Sequence, residues 1–136
     1  MLLRLRMFTV LLTATLAGVY IGEHAAGSFA QDAAQLVTEQ TVEYRFLPTE
    51  LVFRPGVLYR LHLENSGREM HEFTAPEFFR SVEVKNPDVL SQDGTDVLLQ
   101  PGDHKDVLFV PRTAGRYRLT CADHDWAGMV GEIVVR

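Results

Sequence analysis

A segment near the carboxyl end of the chain, "CADHDWAGMVG", holds side chains of the kind that bind a soft metal ion. It contains Cys121, which is the only cysteine of the 136 residues, with His124 three positions later and Met129 five positions beyond that. Thiolate and thioether sulfurs are soft ligands that suit Cu(I), and imidazole suits both oxidation states of copper. Three donors on so short a loop converge on one ion only if the backbone turns sharply, which Gly128 and Gly131 permit. The spacing therefore predicts a metal site in this loop.

A further donor is expected from a separate strand. In "MHEFT", His71 shares a strand face with Phe73, which is the better core residue, so His71 is expected to point inward. In "GRYRLTC", Cys121 shares the face of Leu119, opposite the arginines. Two imidazoles and a thiolate, with a long bond to an axial methionine, make a blue-copper electron-transfer site. Taken singly, each residue has an ordinary interpretation, such as a buried small hydrophobe for the cysteine, and the sequence alone leaves open whether the two strands end near each other.

The first thirty residues differ from the rest of the chain. They combine a basic start, "MLLRLR", an uncharged run of 16 residues from Met7 to Gly22, and small residues at Ser28 and Ala30. These are the parts of a secretory signal, so we expect a signal peptide over residues 1–30, cleavage after Ala30 and a periplasmic location. The alternative is a membrane anchor, for which the apolar run is short. The membrane is therefore expected to matter only if this segment stays uncleaved.

The remaining residues, 31–136, suit one domain with a modest core, since 46% of the whole chain is hydrophobic. Residues 1–30 hold two arginines and one glutamate, so the 13 basic and 18 acidic residues become 11 and 17, a net charge of −6. An acidic surface without clusters of lysine and arginine argues against nucleic-acid binding. A single cysteine in an exported protein forms no internal disulfide. The thiol is then buried and inert, paired between chains or held by a metal.

Short apolar runs punctuated by glycine and proline predict an all-β fold. Strands are expected within residues 37–46, 51–53, 57–64, 70–75, 81–85, 95–100, 104–110, 115–121 and 131–135. Short strands at near-regular spacing argue for an antiparallel sandwich. At most a helical turn is expected at 76–79 and at 87–92. Two other histidines are not expected to bind metal, because His62 alternates outward with Arg60 and His104 follows the turn at 101–103.

The chain resembles the small blue (type 1) copper proteins of the cupredoxin family, in the plastocyanin and pseudoazurin branch. "CADHDWAGMVGEIVV" is similar to the family's ligand loop, Cys-x2-His-x4-Met-x-Gly, and "NSGREMHEFT" is similar to the segment that carries the first histidine. The resemblance covers residues 37–136. It implies a Greek-key β-sandwich with one copper ion at one end, in which His71, Cys121 and His124 are the strong ligands and Met129 is the axial one.

Two positions depart from the family pattern. Glu72 stands where an asparagine often ties the two ligand loops together, and Asp123 stands where a proline often precedes the second histidine. A carboxylate at position 72 either preserves the tie or adds negative charge near the thiolate. A minor alternative makes Glu69 or Glu72 a harder ligand in place of Met129. Trp126 either packs under the loop or forms part of a docking patch on the surface.

The resemblance implies a monomeric one-electron carrier. Its expected partner is a redox protein of the cytochrome, oxidase or reductase type, with His124, in the exposed loop, as the exit for the electron. The alternative is periplasmic copper handling, as a chaperone, buffer or resistance protein, although only Met70 and Met129 follow the signal segment. An enzyme is not expected. A dinuclear centre needs two cysteines in the loop, a multicopper oxidase needs His-x-His pairs, and a hydrolase built on Cys121, His124 and Asp125 leaves Met129 unexplained.

Overall fold

A computed structural model describes residues 33–136 as ten strands, one short α-helix and two short 3₁₀ helices at Pro87–Val89 and Asp125–Ala127. The elements are β1 (Gln35–Val42), β2 (Arg45–Leu47), β3 (Glu50–Phe53), β4 (Tyr59–Asn65), β5 (His71–Thr74), α1 (Pro76–Ser81), β6 (Val82–Val84), β7 (Asp96–Leu99), β8 (His104–Pro111), β9 (Gly115–Thr120) and β10 (Val130–Val135). All nine expected strand segments form strands, but the first is divided in two by a turn at Glu43 and Tyr44, where Tyr44 has φ of 56°. The expected signal segment and its cleavage site lie outside the described residues.

The strands form two five-stranded sheets. One has the order β2-β1-β4-β8-β6 and the other β3-β10-β9-β5-β7. Most neighbours are antiparallel, but β1 pairs with β4, and β3 with β10, in parallel. The expected antiparallel pairing is wrong for these two pairs. Parallel neighbours need a crossover connection instead of a hairpin, and alternation within short strands does not reveal such a connection in a sequence.

Aromatic side chains fill the space between the sheets. Five phenylalanines are completely buried there: Phe46, Phe53, Phe73, Phe78 and Phe109. Phe53 and Phe109 meet edge to face with ring centroids 5.1 Å apart, a favourable arrangement of two aromatic rings. The helix α1 delivers Phe78 to this core and begins with Pro76, whose fixed φ suits a first helical position. Within residues 33–136, no helix is long and apolar enough to cross a membrane.

The strand register brings two distant segments to one end of the sandwich. The strands β5 and β9 are antiparallel neighbours, and Thr74 lies opposite Thr120. Because the two strands run in opposite directions, His71 at the start of β5 comes level with the residues that follow the end of β9. Cys121 is the first of those residues. The fold therefore answers the question that the sequence left open.

Candidate metal centre

Three donor atoms converge at this end of the sandwich. The ligand atoms of His71, Cys121 and His124 all lie within 4.8 Å of one another. The sulfur of Cys121 is 4.0 Å from Nδ1 of His71 and 3.4 Å from Nδ1 of His124. A transition-metal ion bonded to nitrogen and sulfur at about 2.0 to 2.3 Å spaces such donors by about 3.5 to 3.8 Å. The observed distances fall on either side of this spacing, so small side-chain movements suffice to bind an ion.

The loop after β9 is closed by its own backbone. The amide of His124 donates to the carbonyl of Cys121 (3.1 Å), that of Cys121 to the carbonyl of Met129 (3.1 Å), and that of Met129 to the carbonyl of His124 (3.2 Å). Gly128 has φ of 85°, which a side chain rarely tolerates. Gly131 serves differently, since a Cβ there would lie 2.9 Å from a neighbouring backbone carbonyl. These hydrogen bonds join the backbone of Met129 to those of Cys121 and His124, and the side chain of Met129 is completely buried.

A buried asparagine braces the segment that leads to His71. The side-chain amide of Asn65 donates to the carbonyl oxygens of Glu69 (2.8 Å) and Leu99 (2.9 Å), and its oxygen accepts from the amide of Gly67 (2.9 Å). A Cβ at Gly67 would lie 3.1 Å from Nε2 of His71, so the glycine makes room for the imidazole. In the sequence, Asn65 is marked only as the first residue of the segment "NSGREMHEFT". Its bracing role depends on Leu99, which is 34 residues away.

Burial favours the neutral form of both inner donors. It lowers the pKa of His71, and the nearby His124 lowers it further. Burial also raises the pKa of the Cys121 thiol, against the opposing effect of backbone amides, of which that of Glu72 donates to the sulfur at 3.3 Å. A metal ion binds neutral imidazole directly, but it has to displace the thiol proton. Metal binding at this site therefore releases a proton.

The carboxylate of Glu69 orients the imidazole of His124 from the side away from the thiol. Nε2 of His124 lies 3.1 Å from Oε2 of Glu69, so Nε2 carries the proton and Nδ1 is left free to face the sulfur. The hydroxyl of Tyr44 lies 3.4 Å from both oxygens of Glu69, and its ring centroid is 4.9 Å from that of His124. Only 12% of the His124 side chain is exposed as a result. The loop that carries His124 is exposed, as expected, but the imidazole itself is largely covered.

The role of Tyr44 is not evident from the sequence. Its turn lies inside residues 37–46, a segment whose pattern predicts a single strand. The minor alternative of a carboxylate ligand also finds no support in this geometry. Glu69 lies on the Nε2 side of His124, away from the thiol, and neither Glu69 nor Glu72 belongs to the converging group.

The two positions that depart from the family pattern contribute mainly through the backbone. The amide of Glu72, rather than its carboxylate, reaches the sulfur of Cys121 and ties β5 to the loop. Burial raises the pKa of the Glu72 carboxyl, and the charges of Asp123 and Asp96 raise it further. Asp123 itself is exposed, and its carbonyl oxygen accepts a 2.8 Å bond from the indole N–H of Trp126.

Trp126 lies on the surface rather than under the loop. Its side chain is 78% exposed, and its rings lie 6.2 Å from that of Tyr44. Its neighbours Ala127 and Gly128 are also exposed. Of the two alternatives for Trp126, the geometry therefore favours a residue available for contact with another molecule.

The described residues contain a second group of side chains that could hold a metal ion, formed by His62, Glu64 and His104. The ligand atoms of these three residues also lie within 4.8 Å of one another. It lies on the outer face of the other sheet. Both histidines had been expected not to bind metal, and 42 residues separate them in the sequence.

No protein-family model matches the sequence, and no curated protein matches it. Similar solved structures include auracyanin B (21% identity, TM-score 0.57, covering 76% of this chain and 89% of that chain). Auracyanin A, a "blue" copper protein from Chloroflexus aurantiacus, matches with 19% identity and a TM-score of 0.52, over 74% of this chain and 99% of that one. The metal-binding domain of a Cu(I)-exporting P-type ATPase from Streptococcus pneumoniae, solved with Cu(I), matches with 13% identity and a TM-score of 0.51, over 77% and 88%. At these identities the likeness concerns the fold, and the predicted cupredoxin-like Greek-key β-sandwich is confirmed.

Proposed function

We propose that this chain is a type 1 copper protein that carries one electron at a time. His71, Cys121 and His124 would hold the copper ion, and the thioether of Met129 would supply a fourth, weaker ligand. The observation that carries the proposal is the convergence of two imidazoles and one thiol, from a strand and a loop 50 residues apart, within 4.8 Å. The likeness to auracyanin A, a "blue" copper protein, supports the same function.

The donor set suits both oxidation states of one ion. Copper supplies the Cu(II)/Cu(I) couple, for which sulfur favours the reduced form and imidazole serves both. The protein's part is to hold the donors still while the charge changes. His71 begins a strand, the other donors belong to a loop closed by its own hydrogen bonds, and the amide of Glu72 joins the two at the sulfur. Ligands held in this way move little between the two states, which favours fast electron exchange.

The amide at the sulfur also has an electronic effect. Hydrogen bonding around the cysteine sulfur is one of the features that tune the reduction potential of a blue-copper site. The N–H of Glu72 draws charge from the thiolate and so favours the reduced ion. The potential therefore depends on a backbone contact that a substitution of the Glu72 side chain leaves in place.

The surface around Trp126 is the proposed contact area for a redox partner. The indole is 78% exposed, two residues from His124, and its N–H bond to the Asp123 carbonyl fixes its position. The ring of Tyr44 lies near both this indole and the covered imidazole. The partner is a cytochrome, oxidase or reductase that meets a monomer of this chain, and this role makes the chain a carrier rather than an enzyme.

The visible spectrum of the Cu(II)-loaded protein tests the copper site. We expect an intense thiolate-to-copper band toward the red, which is lost in Cys121→Ser and retained in Trp126→Ala. The second variant is a control, since Trp126 belongs to the same loop but donates nothing to the ion. Absence of this band from the wild-type chain when Cu(II) is in excess would remove the proposal.

Copper handling is the second candidate, because the fold is also similar to a metal-binding domain solved with Cu(I). The rate at which a chelator removes copper separates the two functions. A carrier retains its ion through many cycles of oxidation and reduction, whereas a handling protein yields it quickly. The burial of His71, Cys121 and Met129 supports retention.

Export is part of the same proposal. A chain delivered to the periplasm with its signal peptide removed begins at Gln31, and amino-terminal sequencing of the protein from the periplasmic fraction checks this directly. Protein recovered from the membrane fraction with residues 1–30 intact would show that the segment is an anchor.

A further inference from the structure

The geometry points to a second metal site on this chain, formed by His62, Glu64 and His104, that takes a divalent transition ion of the Zn²⁺ class. It lies on the outer face of the sheet β2-β1-β4-β8-β6, away from the thiol, and it rests on none of the arguments for copper. Its donors are two nitrogens and a carboxylate, with no sulfur among them.

The register of two strands builds the site. The strands β4 and β8 are antiparallel, with His62 opposite Asp106 and Glu64 opposite His104. Side chains two residues apart on a strand share a face, and opposite residues on paired strands lie about 5 Å apart. Four polar side chains therefore occupy adjoining positions on a regular sheet. Their placement depends on backbone pairing and not on a mobile loop.

The two imidazoles have the spacing of ligands around one ion. Nε2 of His62 lies 3.4 Å from Nδ1 of His104, and the ring centroids are 5.5 Å apart. Two nitrogens bonded to Zn²⁺ at about 2.0 to 2.1 Å in tetrahedral geometry are separated by about 3.4 Å. The separation of the two nitrogens therefore equals the length of an edge of a zinc tetrahedron.

The tautomer of His62 leaves the lone pair of Nε2 facing His104. Nδ1 of His62 lies 2.7 Å from Oδ1 of Asp106, and an ionised carboxylate only accepts hydrogen bonds. Nδ1 therefore carries the proton, and Nε2 presents a lone pair toward His104. A carboxylate behind the imidazole is the usual support of a metal-binding histidine. Asp106 takes this supporting role, and its side chain is 40% exposed while that of His62 is 31% exposed.

The carboxylate of Glu64 is also held in place. Oε1 accepts a hydrogen bond from the hydroxyl of Ser66 (3.1 Å), and Oε2 accepts one from the amide of Gln40 (3.2 Å). Both donors are neutral, and within residues 33–136 no lysine or arginine forms an ion pair with Glu64. It remains available to a cation held between the two histidines.

Two histidines and one glutamate are a donor set that zinc uses with its fourth position open to water. The same nitrogen and oxygen donors bind Cu²⁺ more tightly than Zn²⁺. Because no sulfur takes part, a copper ion here would lack the intense colour of a thiolate complex. The chain therefore combines a buried site with sulfur and a partly exposed site without it.

Titration of the mature chain with ZnCl₂, followed by ¹⁵N NMR of the imidazole rings, tests the inference at each histidine separately. We expect saturable shifts at Nε2 of His62 and Nδ1 of His104, and loss of the His62 shift in His104→Asn. Glu64→Gln should weaken Zn²⁺ binding at these nitrogens about tenfold or more, and Asp106→Asn about 10- to 100-fold. Backbone amide spectra of the variants establish that each is folded.

The control is Glu77→Gln, which removes one exposed carboxylate from α1 and should leave the affinity unchanged. Three results would overturn the inference. They are no movement of the His62 and His104 signals at millimolar Zn²⁺, an unchanged His62 shift in His104→Asn, or equal weakening by Glu77→Gln and Glu64→Gln. The signals of His71 and His124 report the other cluster independently, so neither site is mistaken for the other.

Discussion

A carboxyl group in the core of the sandwich makes the stability of this protein strongly dependent on pH. Glu39 in β1 is completely buried, and within residues 33–136 neither of its oxygens has a hydrogen-bond partner. Burial raises its pKa from 4.5 to about 8, and the nearby backbone amide of Leu47 opposes this without reaching hydrogen-bonding geometry. At neutral pH the folded protein therefore holds Glu39 as a neutral acid, whereas the unfolded chain ionises it.

The size of the effect follows from the two pKa values. The folded protein binds this proton more tightly than the unfolded chain, so the free energy of unfolding is greatest below pH 4.5 and falls as the pH rises through about 8. Each pH unit between the two values costs about 1.4 kcal/mol. The loss is therefore about 3 kcal/mol at pH 7 and approaches about 5 kcal/mol above pH 9, which is a large part of the stability of a small domain.

Glu39→Gln isolates this contribution. The amide has nearly the same shape as the protonated acid and does not ionise, so the variant should lack this part of the pH dependence. Denaturant unfolding of both proteins at intervals from pH 4 to 9 gives the difference in unfolding free energy. We expect that difference to shift in favour of the variant by about 3 kcal/mol between pH 4 and pH 7.

Taking the difference removes the contribution of every other group that titrates equally in both proteins, including His71 and Glu72. Glu77→Gln, an exposed change of the same kind, should give a curve parallel to that of the wild type. Parallel curves for the wild type and Glu39→Gln would refute the reasoning, because they would mean that the buried carboxyl ionises as readily in the folded protein as in the unfolded chain.

Three further predictions concern the metal centre. Because the pKa of the Cys121 thiol is raised, copper binding should release one thiol proton. The affinity for copper, measured by chelator competition, should therefore rise about tenfold per pH unit between pH 7 and 8.5. An affinity that does not change with pH would contradict this. Glu69→Ala removes the carboxylate behind His124 and should weaken copper binding about 10- to 100-fold, whereas Glu77→Ala should leave it unchanged. Trp126→Ala should keep the visible spectrum but slow electron exchange with a c-type cytochrome in stopped-flow measurements, and an unchanged rate would exclude Trp126 from docking.

The parts of the site that the sequence predicts are those fixed by local geometry. The spacing of Cys121, His124 and Met129 is set within one closed loop, and the inward direction of His71 follows from strand alternation beside Phe73. Such features need no knowledge of which strands are neighbours.

The parts that escape prediction depend on contacts between distant residues. The cover over His124 needs the turn at Tyr44 to reach Glu69, 25 residues later. The contact between His62 and His104 needs the pairing of β4 with β8. Hydrophobic alternation specifies the face of each strand but not its partner, and for this reason the two parallel pairs were also missed.

The cover over His124 bears on how a carrier of this kind would meet its partner. An imidazole with 12% of its side chain exposed offers little area for contact, whereas the adjacent indole is 78% exposed. Under the proposed function, the partner therefore rests on Trp126 and reaches the ligand past Tyr44 and Glu69.

Glu69 then has two separate effects, since it fixes the tautomer of His124 and places a carboxylate at the edge of the docking surface. Glu69→Gln separates them: it keeps a hydrogen-bonding oxygen and removes the charge. If the charge guides the partner, this variant should retain copper and lose much of the salt dependence of its electron-exchange rate; an unchanged salt dependence would confine Glu69 to the support of His124.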